Sequence, residues 1–154
     1  MTLNKQMISS KSVEWETPQD FFDELNKEFN FTLDPCATHD NFKCKKYFTD
    51  QEDGLKQDWS KDVVFMNPPY KRCTKIWMLK AYDEFLKGST VVCLIPCGPG
   101  RNYWHELIFP NAAQIRFIKG FLKFSGNKNG APFSFALVVF SKKKYKNKFV
   151  WVEE

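Results

Sequence analysis

No apolar run in this chain approaches the ~20 residues needed to span a bilayer. The opening Met1-Thr-Leu-Asn-Lys-Gln does not have the basic-then-apolar order of a signal peptide. No membrane partner is therefore expected. There is no internal repeat and no low-complexity block, and a balance of 43% hydrophobic and 27% charged residues excludes a disordered, collagenous or coiled-coil chain. Cysteine is present five times, as Cys36, Cys44, Cys73, Cys93 and Cys97. An odd count without a signal peptide reads as reduced thiols in a cytoplasm. Cys36, His39 and Cys44 have no fourth ligand at a usual spacing, so no metal is expected. The net charge of +5 is mild, and it permits nucleic acid as a partner without arguing for it.

What the chain has in excess is aromatic surface: 17% of residues, including 16 Phe and 5 Trp. A small core does not need that many rings, so some are expected to face a flat ligand. A length of 154 residues fits a single domain. The first dozen residues are polar and read as frayed.

Thr17 can cap a helix that starts at Pro18, with Asp20 closing the cap and Phe21, Leu25 and Phe29 forming its apolar face. Short strands are expected at Phe31-Thr32-Leu33, ending in Asp34-Pro35, and at Tyr47-Phe48. Val63-Val64-Phe65-Met66 reads as a buried strand, residues 74–87 as a helix with Gly88 just past its end, and Val91 to Ile95 as a second buried strand. Pro96-Cys97-Gly98-Pro99-Gly100 breaks the chain, and a helix from Asn102 is expected to stop at Pro110. Strands follow at 115–118, 133–140 and 149–152. Strands alternating with helices give an α/β fold with a mostly parallel sheet, closed by an antiparallel C-terminal pair. In such sheets ligands sit beyond the carboxyl ends of the strands. Those ends carry Asp34-Pro35, Asn67-Pro68-Pro69-Tyr70 and Pro96-Cys97-Gly98.

Asn67-Pro68-Pro69-Tyr70 is the sharpest signal. Two prolines fix φ and remove two donors, so the backbone carbonyls become rigidly aimed acceptors. Asn67 adds a side-chain carbonyl, and Tyr70 a flat ring with a polar tip. Together they suit a planar group bearing an NH2, although a plain strand-ending turn has the same spelling.

Asn-Pro-Pro-Tyr after a strand resembles the catalytic motif of S-adenosylmethionine-dependent amino methyltransferases. Further segments occur in the family's order: Trp15-Glu16-Thr17-Pro18, Leu33-Asp34-Pro35-Cys36-Ala37, Asp58-Trp59, Ile95-Pro96 and Ile115 to Phe124. Over about residues 13–141 the chain resembles phage-type DNA N6-adenine methyltransferases (Dam-type). The resemblance implies a Rossmann-like class I methyltransferase fold with a seven-stranded sheet, S-adenosylmethionine as cofactor and double-stranded DNA as partner. It implies a catalytic loop of Asn67, Pro68, Pro69 and Tyr70, with Tyr70 stacked on a flipped base. On the cofactor side it implies Trp15, Thr17, Pro18, Asp34, Pro35, Cys36 and Ala37. Asp58 would accept the cofactor's adenine amino group, Trp59 would stack, and one of Asp50, Glu52 or Asp53, with Asp50 preferred, would hold the ribose hydroxyls. One departure is the loop after Asp34, which contains no glycine; Cys36 and Ala37 are the small residues there.

For DNA, Lys71 and Arg72 follow the motif, and Arg101, Lys119, Lys123, Lys128 and the Lys142–Lys146 run are further candidates. A monomer or a homodimer is expected. Two other readings use the same residues: methylation of a glutamine or other amide, and a methyltransferase-like module that binds DNA without turnover. Pro96-Cys97 invites a cytosine-C5 reading, but that family's Pro-Cys sits where this chain has Asn67-Pro68, so Cys97 reads as loop packing.

Overall fold

The computed structural model describes residues 16–70, 73–124 and 131–153. Alternation along the longest strand shows why the sheet is buried on both faces. Val91, Cys93 and Ile95 join Val64, Met66 and Ile115 in one apolar cluster, while Val92 and Leu94 join Phe65 and Leu137 in the other. Seven strands build the sheet: β1 (Leu33–Asp34), β2 (Lys46–Tyr47), β3 (Val63–Met66), β4 (Thr90–Pro96), β5 (Gln114–Ile118), β6 (Phe135–Phe140) and β7 (Phe149–Val152). Their order is β2-β1-β3-β4-β6-β5-β7. All neighbours run parallel except β6, which is antiparallel to both β4 and β5. The expected mostly parallel sheet with an antiparallel pair near its C-terminal end is therefore present.

Helix α1 (Gln19–Phe29) contributes Phe22 and Leu25 to the second cluster. Helix α2 (Thr74–Leu86) contributes Trp77, Met78 and Ala81 to the first. Gly88 follows α2 with φ 117°, a conformation that favours glycine, as its position past the helix end predicts. A third helix, α3, spans 102–111. It does not stop at Pro110. The helix widens to π geometry over Trp104–Ile108 and runs on through Phe109–Asn111. A proline ring clashes with the carbonyl four residues earlier in a regular α-helix, and the wider turn relieves that clash.

The N-terminus of α1 also departs from the sequence reading. Pro18 occupies the cap position, and no side-chain cap bond is made. Asp20 Oδ1 instead accepts from the Phe21 N–H at 2.9 Å, and the Thr17 hydroxyl is directed elsewhere. Parallel neighbours β1 and β2 are joined without a helix, which is unusual for a parallel crossover. The side chain of Asp34 pins that connection: Oδ1 accepts from the Cys36 N–H at 3.1 Å and Oδ2 from the Lys43 N–H at 3.0 Å.

Candidate active site

Strand direction decides which residues meet. Since β1 to β5 and β7 run one way and β6 the other, a single edge of the sheet collects the residues that follow Asp34, Met66, Pro96 and Ile118. The residues just before Phe135 lie on the same edge. Asn67 stands at its centre. Its Nδ2 donates to Thr17 Oγ1 at 3.0 Å, and its Oδ1 accepts from the Tyr70 hydroxyl. Thr17 is 2% exposed, and it joins the segment Glu16-Thr17-Pro18 to the Asn-Pro-Pro-Tyr motif through a partly buried hydrogen bond, fifty residues apart in sequence.

Pro68 is buried and Pro69 exposed. The half-buried Tyr70 ring leans on Phe135 at 5.4 Å and meets Phe133 edge-on at 6.4 Å. Phe124 backs Phe135 at 4.9 Å. Burial pushes the Tyr70 hydroxyl well above its ordinary range, with Cys36 adding to the shift. Parallel pairing of β1 with β3 brings the loop after β1 beside the loop after β3. Burial likewise pushes the Cys36 thiol up, so it is no thiolate nucleophile at neutral pH.

Asp34 is 6% exposed. Burial raises its carboxyl to about 6, against the opposing pull of the two backbone N–H bonds. Among the described residues no basic side chain forms an ion pair with it. Lys43, whose charge partly opposes the shift, donates instead to Gln19 Oε1 at 3.0 Å. A buried, uncompensated carboxylate beside a loop of backbone donors is suited to a cationic ammonium group. Pro35 and Ala37 are buried next to it, and Asp50 is exposed three residues after β2.

Two expected cofactor residues are placed otherwise. Trp59 is fully buried. Its indole lies parallel to Trp77 at 6.2 Å and donates to the Gly54 carbonyl at 3.0 Å, so neither face is open to a ligand. Asp58 is exposed and accepts from the Ser60 N–H at 3.0 Å. It precedes β3 near Lys87, at the opposite edge from Asn67. Both are corrections to the sequence reading: the Asp-Trp pair packs and caps rather than binding a ring.

Gly54, which the sequence reading did not single out, is what Trp59 holds. A Cβ there would lie 2.2 Å from the Pro35 carbonyl oxygen. The segment after β2 therefore packs closely on the backbone of the loop after β1. The signal for it was Asp53-Gly54, with Asp53 at φ 56°. Gly54→Ala is expected to cost about 3 kcal/mol through this overlap, read as a lower urea midpoint at unchanged slope.

Arg101 is exposed after β4, with its stem against Gly98, and Lys119 and Lys123 are exposed after β5; all three lie on the site edge. Lys119 pairs with Glu153 at 3.2 Å. Lys142–Lys146 follows β6, the antiparallel strand, and so sits at the opposite edge. That run is not part of this site. Trp15, Lys71, Arg72 and Lys128 lie outside the described residues. Among the described residues no three His, Cys, Asp or Glu side chains are placed to hold a metal ion, all five cysteines are free, and no helix is long and apolar enough to cross a membrane.

The model of the DNA N-6-adenine-methyltransferase (Dam) family matches residues 5–150. The chain belongs to that family. The Dam-family match spans every loop of the site edge. The chain is 31% identical over 133 residues to the DNA N-6-adenine-methyltransferase of Haemophilus phage HP1, covering 84% of this chain and 76% of that one. It is 29% identical over 107 residues to the DNA N-6-adenine-methyltransferase of Escherichia phage T1, covering 68% of this chain and 44% of that one.

Proposed function

We propose that this Dam-family chain transfers a methyl group from S-adenosylmethionine to the N6 amino group of adenine in double-stranded DNA, on a Rossmann-like class I methyltransferase fold. The observation that carries the proposal is the Asn67 amide, fixed between Thr17 and Tyr70 at the end of β3, beside the buried carboxylate of Asp34.

S-adenosylmethionine supplies an electrophilic methyl group on a sulfonium centre. Asp34 would take its ammonium group, and Thr17, Pro18, Pro35, Cys36 and Ala37 would shape the surrounding wall, with Asp50 toward the ribose; the family resemblance adds Trp15 to this set. Asn67 Oδ1 and the Pro68 carbonyl accept the two N6 hydrogens of a base flipped out of the duplex. This draws the nitrogen lone pair out of conjugation and aims it for in-line attack. An amide oxygen has two lone pairs, so Oδ1 can hold both the Tyr70 hydroxyl and a substrate hydrogen. Catalysis is then positioning and electrostatics. Arg101, Lys119 and Lys123 meet phosphates on the site edge, with Lys71 and Arg72 next to the motif.

Tyr70 stacks on the base. Base–aromatic stacking contributes ~1–3 kcal/mol, so Tyr70→Ala is expected to lower kcat/KM for DNA by ~5- to 150-fold with cofactor affinity little changed. Tyr70→Phe, which keeps the ring, should retain most turnover. Steady-state kinetics and cofactor titration on both variants check this.

The deciding experiment uses labelled S-adenosylmethionine, unmethylated duplex DNA and digestion to nucleosides. Label on N6-methyladenine is the expected result. Cofactor binding without labelled DNA would move the assignment to an amide substrate. Absence of cofactor binding would leave a DNA-binding module.

A further inference from the structure

Strand β7 closes one side of the sheet, and among the described residues nothing pairs with its outer edge. Its pairing to β5 uses the even-numbered backbone: the Lys148 carbonyl accepts from Ile115 N–H at 2.7 Å and the Val152 carbonyl from Lys119 N–H at 2.9 Å. The backbone N–H and C=O groups of Phe149 and Trp151 therefore point away from β5. Their side chains are unusually open as well, 54% and 74% exposed. They extend an aromatic stripe on one face of the sheet, with Phe117 stacked on Phe149 at 6.5 Å and tilted against Trp151 at 5.2 Å. Phe109 of α3 meets Phe149 edge-on at 6.2 Å. Edge strands that stay single are usually blunted by proline, a bulge or an inward charge. Phe149-Val-Trp-Val152 has none of these.

We propose that the outer edge of β7 pairs antiparallel with β7 of a second copy of this chain, giving a two-fold symmetric homodimer with one continuous sheet. Three features point to a second copy as the occupant. A two-fold axis perpendicular to the sheet keeps each side chain on its own face, so cross-strand partners must share parity. With Val150 on the axis, Phe149 of one copy lies opposite Trp151 of the other. Those are the two residues whose backbone groups point outward, so this register makes four N–H···O bonds and two aromatic cross-strand pairs. The charge order is compatible with the same pairing: Lys146 precedes the strand and Glu153, which Lys119 holds at 3.2 Å, follows it, so antiparallel pairing brings Lys146 of each copy toward the Glu153 end of the other. An isologous contact closes on itself and does not propagate into a fibre. The axis also leaves both site edges outside the contact, because the edge bearing Asn67 runs across the strand ends and not along β7.

A four-residue strand with its stripe makes a contact smaller than the ~800 Å² per partner of a standard stable complex, which sets the expected dissociation constant in the micromolar range. Sedimentation of the full chain across ~1–200 μM tests the proposal. The wild type is expected to double from its 18.2 kDa mass over that range. The paired variant Phe149→Lys/Trp151→Lys is expected to remain monomeric, as is Phe149→Glu/Trp151→Glu, since each places like charges opposite one another. An equimolar mixture of the two should recover the dimer. Both positions are exposed ring sites, and an unchanged melting curve confirms that each variant folds. A wild type that stays monomeric throughout overturns the proposal and leaves the stripe to a different protein or to nucleic acid. Dimerisation of either charged variant alone, or failure of the mixture to associate, overturns the β7 register.

Discussion

Asn67→Ala is expected to reduce methyl transfer by ~10²–10³-fold, the range seen when one preorganised polar group is removed from a developing charge. The affinity for S-adenosylmethionine is expected to stay within a few-fold. The reason lies in how the amide is held. Thr17 and Tyr70 bind opposite ends of it, so the side chain enters the reaction already oriented, and in the proposed arrangement Asn67 itself faces the base and not the cofactor. Single-turnover transfer with saturating cofactor, alongside a direct binding titration, separates the two effects. Near-normal transfer by the alanine variant would remove Asn67 from the chemistry. Parallel loss of transfer and cofactor binding would indicate a collapsed loop, which the thermal melt of the variant would reveal.

Asp34→Asn is expected to weaken cofactor binding by ~100-fold, since breaking a buried charge pair costs about 3 kcal/mol or more. The pH dependence makes the prediction specific. Burial has raised the carboxyl from 3.8 to about 6 in the folded chain. Its ionised form is therefore a cost to the unliganded fold: stability attributable to this group is complete below pH 4 and is lost as pH rises through 6. The loss amounts to about 3 kcal/mol at ~1.4 kcal/mol per pH unit. An ammonium ligand reverses that cost by pairing with the carboxylate. Cofactor affinity should fall about tenfold per unit below pH 6, stay level above it, and decline again near pH 8, where an α-amino group loses its proton. Asp34→Asn should abolish the acid limb and leave the alkaline one weakened. Isothermal titrations from pH 5 to 8.5 on both proteins read this directly. An acid limb that survives in the variant would assign the titration to another group.

Much of the site was legible because its residues carry local signals. Val63 to Met66 is a run of strand formers stopped by Asn67-Pro68-Pro69, and both the strand and the break lie where the sequence puts them. Asp34 was legible as the polar end of an apolar strand. Pairing of β5 with β6 followed from the absence of a helix between them. The misreadings share a different physics, in which a distant partner outbids the local one. Thr17 spells a helix cap, yet its hydroxyl bonds to Asn67, fifty residues on. Trp59 beside Asp58 spells equally a stacking platform or a core ring, and Trp77 and Gly54 decide for the core. Pro110 spells a helix stop, but the π turn before it absorbs the clash. The Lys142–Lys146 run spells a solvated face as readily as a phosphate contact, and the direction of β6, which carries it to the other edge, removes it from this site.

The single carboxylate that pins the β1–β2 connection has a consequence for what can be observed in solution. The amides of Cys36 and Lys43 are seven residues apart and share no secondary structure, yet both are protected by the two oxygens of Asp34. A neutral acid is a weaker acceptor than a carboxylate. Their hydrogen-exchange protection factors should therefore move together, decreasing as the medium is acidified through pH 6 and increasing when a cation occupies the pocket. Those two backbone positions form a built-in reporter of occupancy, readable by isotope exchange without any label on the ligand.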